Sequence, residues 1–137
     1  MLNFELNEKM KEHVQGKQNL IKEKSYRFAI DAVKLYQQLR KEGEYVLSKQ
    51  LLRSATSIGA NVEEATAAQS RKDFAAKMAI ASKEARETNY WLRLLKDSQI
   101  CQRLDYSTYI ENSSELIRIL TAIVKTTKNE HKNKDNF

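Results

Sequence analysis

The chain has 137 residues, with 24 Lys and Arg against 18 Asp and Glu, a net charge of +6 with both histidines neutral. It contains no Pro, three Gly and one Cys, where average usage would give about seven Pro and ten Gly. That composition argues against the turn-rich strands of a β-sandwich, a Gly-rich phosphate loop, an internal disulfide and a cysteine zinc site, and it points to a single, mostly helical domain.

Residues 1–20 are polar with scattered apolar positions, Leu2, Phe4, Leu6, Met10 and Val14, and Gly16 would interrupt a helix there. This stretch reads as a weakly ordered N-terminal extension or a frayed helix. Glu5, Glu8, Lys9 and Lys11 stand where a signal peptide needs an apolar run. No segment approaches the roughly eighteen apolar residues of a membrane span. A cytoplasmic protein with no membrane partner is expected.

The bundle domain is expected over residues 21–128. Its first helix is predicted from Ile21 to Glu42, with Phe28, Ala32, Leu35 and Leu39 on one face. Gly43 follows as a C-terminal stop. Ser48 is the expected N-cap of the second helix, whose stripe is Leu51, Ala55, Ile58, Val62 and Ala65. Gly59 falls inside that helix at a cost of about 1 kcal/mol relative to Ala, which a close neighbouring helix would explain. A break is expected at 67–69.

Ser70 and Asp73 resemble a capping box that opens the third helix, expected to run to Ser98. Its core stripe is Phe74, Met78, Ala81, Ala85, Thr88, Leu92 and Leu95. The fourth helix, capped by Asp105 or Ser107 and ending near Lys128, turns Leu116, Leu120, Ile123 and Val124 inward. Residues 129–137 read as a polar, disordered tail. Four such stripes with short connections describe an all-α fold, an antiparallel up-and-down four-helix bundle.

The third helix also has two informative flanks, because successive residues advance by about 100°. Lys72, Lys83, Arg86, Tyr90 and Arg93 share one flank, which is suited to phosphate contact and to stacking on a base, or is simply a solvated face. Lys125, Lys128, Lys132 and Lys134 near the C-terminus carry the same two readings. The other flank holds Ile80, Glu84, Glu87 and Trp91. Ile80 and Trp91 lie too far round for the bundle interior and are too apolar for water, so a subunit interface is expected there.

On the second helix Ser54, Ser57, Asn61 and Glu64 form a polar stripe beside the core, with Arg53 next to it. A stripe so placed is expected to form a structural polar network across a helix seam, with Arg53 pairing to Glu84 or Glu87. A di-iron centre would need Glu-x-x-His pairs, and the sequence has Glu84-x-x-Glu87 with no histidine in any of the four helices. No base stands near Ser54 or Ser57. Neither a catalytic residue, a metal nor a cofactor is expected.

Gln50 to Ala65, together with Ser70, Asp73-Phe74, Lys77, Ile80-Ala81, Lys83-Glu84-Ala85, Glu87-Thr88 and Tyr90-Trp91-Leu92, resembles the signature of the four-helix bundle proteins encoded in 23S rRNA intervening sequences. The resemblance covers about residues 25–125. It implies a ring-shaped homopentamer and a relationship to the accessory proteins of diversity-generating retroelements, basic pentamers that engage nucleic acid and a reverse transcriptase. It implies no catalytic role for Arg53, Asn61 or Glu64. The expectation is therefore a non-enzymatic oligomer that binds RNA or DNA through basic surfaces. The alternative is a protein-interaction scaffold with no nucleic-acid role.

Overall fold

The computed structural model describes residues 2–135. Four helices follow one another: α1 Leu2–Lys41, α2 Leu47–Thr66, α3 Arg71–Asp97 and α4 Ser107–Asp135. Each packs on its neighbour in sequence and α1 closes against α4, so the four run up, down, up and down around one core. Among the described residues there is no strand. The expected core stripes are the observed ones: Phe28, Ala32, Leu35 and Leu39 of α1 meet Leu51, Ala55, Ile58 and Val62 of α2 in one cluster. Met78, Ala85, Leu92 and Leu95 of α3 and Leu116, Leu120 and Ile123 of α4 complete it. Val124, expected inside with them, is only partly buried.

The backbones of α1 and α2 approach closely at Gly59. A Cβ there would lie 3.4 Å from the carbonyl oxygen of Ser25, so the absence of a side chain lets α1 and α2 settle together. Helix ends follow local chemistry. Gly43, at φ +90°, terminates α1 with two closing bonds, Gly43 N–H to Arg40 C=O and Glu44 N–H to Leu39 C=O, the pairing of a Schellman motif. The same pattern closes α3 through Gln99 N–H to Lys96 C=O and Ile100 N–H to Leu95 C=O. There the left-handed position is filled by Gln99, at φ 59°.

Two caps agree with expectation and one differs. Ser70 Oγ accepts from Asp73 N–H at the start of α3, and Asp105 Oδ1 accepts from Ser107 N–H before α4. At α2 the cap is Glu44 rather than Ser48. Its carboxylate accepts from the backbone N–H groups of Val46, Leu47 and Ser48, and the Ser48 hydroxyl donates back to the Glu44 carbonyl. A negative group is favoured at that end of the helix, and the Gly43 turn carries Glu44 over it.

The other differences concern length. α1 begins at Leu2 and runs through Gly16, so the stretch 1–20, read as weakly ordered or frayed, is helical from its second residue. Its described side chains nevertheless lie outside the core, and among the described residues Ile21 is the first buried one of α1. α4 continues past Lys128 to Asp135, so most of the expected tail is helical, while residues 136–137 lie outside the described residues. α1 therefore overhangs the shorter α2 by several turns, since 40 residues span about 60 Å and 20 about 30 Å.

Candidate functional site

The seam between α2 and α3 carries the expected ion pair. Arg53, on the flank of α2 that faces α3, donates to Glu84 at 3.3 Å and to Glu87. Glu87 also accepts from the Trp91 indole N–H at 3.2 Å. The Arg53 guanidinium holds the Glu87 carboxyl below the usual carboxylate range, and the pairing raises Arg53 in return. The site is not sealed from water: Arg53 is 49 % exposed, against 19 % for Glu84 and 36 % for Glu87.

The rest of the polar stripe behaves differently from expectation. Ser57 donates to the Arg53 carbonyl and Asn61 to the Ser57 carbonyl, so both bond to their own helix instead of bridging the seam. Glu64 does cross it, pairing with Lys77 at 2.6 Å. The buried crossing is made by Thr88, whose hydroxyl donates to Ser54 Oγ at 2.8 Å and lies within reach of the Glu84 carbonyl. Ser54 donates in turn to the Leu51 carbonyl. Among the described residues no buried side-chain polar atom lacks a partner. Thr88 reads in the sequence as one more position of the core heptad, and its meeting with Ser54 needs the helix register.

On the opposite flank α3 faces α4. Asn89 donates to Ser113 at 2.9 Å and to Ser114 at 3.3 Å, fixing the seam in a way that sequence reasoning missed. Arg86 reaches across to Thr121 Oγ1 at 3.3 Å, and Arg93 donates to Asn89 Oδ1 at 2.9 Å. Lys72, Lys83, Arg86 and Arg93 are all exposed, so the structure brings the expected cations onto one accessible side of α3. Tyr90 is 49 % exposed and meets Trp91 edge to face, with ring centres 5.1 Å apart. Trp91 is partly buried against the core, whereas Ile80 is 41 % exposed.

Glu84 and Glu87 are tied down on one flank, and among the described residues Lys72, Lys83, Arg86 and Arg93 on the other have no carboxylate partner. This division of α3, on a bundle of four helices, accompanies a match to the family model described as 23S rRNA-intervening sequence protein over residues 17–122. The chain belongs to that family. A solved structure of a protein of unknown function from the S23 ribosomal protein family of Bacteroides thetaiotaomicron VPI-5482 is 48 % identical, with a TM-score of 0.76. The similarity covers 80 % of this chain and 98 % of that one. No curated protein matches the chain.

Residues 2–16 and the end of α4 thus lie outside the stretch matched to the family model, at one end of the bundle. Among the described residues no group of three or more His, Cys, Asp and Glu side chains is placed to hold a metal ion, and no helix is long and apolar enough to cross a membrane.

Proposed function

We propose that this member of the 23S rRNA-intervening sequence family is a non-enzymatic homo-oligomer that binds nucleic acid, RNA foremost, through the basic side of α3. The observation that carries the reading is the exposure of Lys72, Lys83, Arg86 and Arg93 on one side, with the α3 carboxylates Glu84 and Glu87 bound to Arg53 on the other. Lys and Arg neutralise phosphates and release counterions, while the half-exposed Tyr90 offers a face for a base. A single bundle presents few phosphate contacts. Repetition of the stripe around a ring turns each later contact into an intramolecular one and raises avidity, provided the nucleic acid spans the copies.

The pentamer number comes from the family resemblance, and association itself is supported by the exposed Ile80 on the same flank of α3 as the partly buried Trp91. The relationship to retroelement proteins that the resemblance implies makes a reverse transcriptase a further partner within this proposal. Light scattering is expected to give a multiple of the 15.9 kDa protomer, and a monomer at micromolar concentration would contradict the oligomer.

Changing Lys83, Arg86 and Arg93 together to Glu tests the surface. Lost RNA affinity with the oligomer intact supports nucleic-acid binding there. Loss of the oligomer places the stripe in the subunit interface instead. An intact oligomer with undiminished affinity contradicts both.

One observation favours a protein-interaction scaffold as a second reading. Tyr26, Ile30 and Val33 form an exposed apolar strip on α1 at 64 %, 41 % and 40 % exposure, on a flank the basic stripe does not reach. Salt-independent behaviour of the protein toward RNA would favour it.

A further inference from the structure

Between α3 and the C-terminal half of α4 runs a trough made of two adjoining depressions, of about 440 and 390 Å3, that share Lys128 and Lys132. Its floor is small or apolar, with Ala75 and Ser82 from α3 and Val124 and Thr127 from α4. Its rims are cationic: Lys72 and Arg86 on α3, Lys125, Lys128 and Lys132 on α4. Lys125, Lys128 and Lys132 are spaced i, i+3 and i+7, one face of a helix continuing from Thr121. The one carboxylate in the lining, Glu130, is taken by Arg71 at 2.9 Å. Among the described residues none of the five rim cations is paired with a carboxylate. Lys125, Lys128 and Lys132 also lie beyond residue 122, where the match to the family model ends.

We propose that this trough is a clamp for the sugar–phosphate backbone of single-stranded nucleic acid, built in large part by the stretch of α4 beyond the match to the family model. The proposal rests on the nucleic-acid reading above and moves its centre from the outer face of α3 to the α3–α4 seam. Two rows of cations face each other over a floor with no carboxylate free to repel a phosphate. From Thr121 to Lys132 the α4 rim is about 16 Å long at 1.5 Å per residue, room for a few consecutive phosphates of one strand. Packed helices lie about 8–10 Å axis to axis. A trough at a seam of that spacing admits the backbone of one strand, whereas an A-form RNA duplex presents its two backbones across a wide, shallow minor groove. Among the described residues no aromatic ring lines the floor, so recognition is of phosphate and tolerant of sequence.

The test is fluorescence anisotropy of the full-length protein with a labelled uridine oligomer of about twenty nucleotides, longer than the trough, and with an RNA duplex of the same length. The single strand is expected to bind more tightly than the duplex. The variant K125Q/K128Q/K132Q is expected to lose at least about tenfold in affinity for it and to flatten the log–log salt slope by about 2, three contacts at about 0.7 each. K34Q/K41Q/K49Q, which removes the same charge from α1 and α2, is expected to stay within about twofold, since binding by net charge alone would weaken both variants alike. Each α4 lysine changed singly shifts affinity in the same direction, which covers a folding failure of the triple variant. Wild-type binding with an unaffected α4 variant, or a duplex bound as tightly as the strand, overturns the clamp and leaves the broader reading standing. Loss of the oligomer in the α4 variant assigns the trough to a subunit interface and overturns the clamp as well. Failure of the wild-type protein to bind any RNA overturns both.

Discussion

Arg53 bridges two carboxylates of α3 while about half of its side chain faces water, at 49 % exposure. Exposed pairs are worth under about 1 kcal/mol, because water and salt screen them and ordering two long side chains costs entropy. Thr88 is the opposite case, fully buried with its hydroxyl against Ser54 and the Glu84 carbonyl. Losing a buried hydrogen bond costs about 1–3 kcal/mol when a partner is left unsatisfied. Chemical denaturation should therefore place Thr88→Val as the more destabilising change, with Arg53→Ala within about 1 kcal/mol of wild type. The reverse order would mean that the Arg53 pair is sealed from solvent.

The pairing itself was legible, since Arg53, Glu84 and Glu87 sit at positions that face each other once α2 and α3 are packed. Its exposure was not, because helical spacing gives direction around an axis and not depth. Cys101 adds a pH signature. Burial, followed by a hydrogen bond to Glu42, pushes its thiol up to about 11, against about 8.5 for a free thiol. The native state thus favours the neutral thiol. The associated stability is complete below about pH 8.5 and is lost as pH rises toward 11. Iodoacetamide labelling at pH 8 should be much slower for the native protein than for the unfolded chain, and equal rates would contradict the burial of the sulfur.

At the scale of the elements, the heptad stripes of α2, α3 and α4 could be read directly, because each turns one apolar face to a common core. The start of α1 could not. Its first turns lack a buried face and contain Gly16, so neither periodicity nor propensity marks a helix, yet the chain continues the α1 axis with Lys11 and Glu8 paired at 3.4 Å. Described side chains in 2–16 are exposed and contribute nothing to the core. Removing those residues should leave the thermal midpoint of the bundle unchanged, and a fall of several degrees would show that the overhang packs on something.

The α2 cap was misassigned because Ser48 has the right chemistry at the right place, while Glu44 reaches the same amides only through the left-handed turn at Gly43. Gln99 holds the equivalent turn after α3 without being glycine. A left-handed L-residue costs about 1–2 kcal/mol, part of which Gly returns in unfolded-state entropy. Gln99→Gly is thus expected to raise stability by about 0.5–1 kcal/mol, and a loss measured by denaturation would show that the Gln99 side chain makes a contact of its own.

Over the whole molecule, charge is sorted by seam. The α2–α3 seam neutralises itself through Arg53, Glu84, Glu87, Lys77 and Glu64, whereas the α3–α4 side keeps Lys72, Arg86, Lys125, Lys128 and Lys132 without carboxylate partners among the described residues. The cations of α3 were visible in the sequence as a stripe. Of those of α4, Lys125 and Lys128 stood at the end of the expected helix and Lys132 in the stretch read as tail, and the continuation of that helix to Asp135 sets all three along the same trough. A surface so arranged owes its affinity for nucleic acid to counterion release, which has a direct readout. The affinity of the wild-type protein for a single-stranded RNA should be measured between about 50 and 200 mM salt, where several phosphate contacts change it by orders of magnitude. The account predicts a straight log–log plot with a slope of about −3 or steeper, from the five trough cations at about −0.7 each. A flat plot, or no binding at the lowest salt, would contradict it.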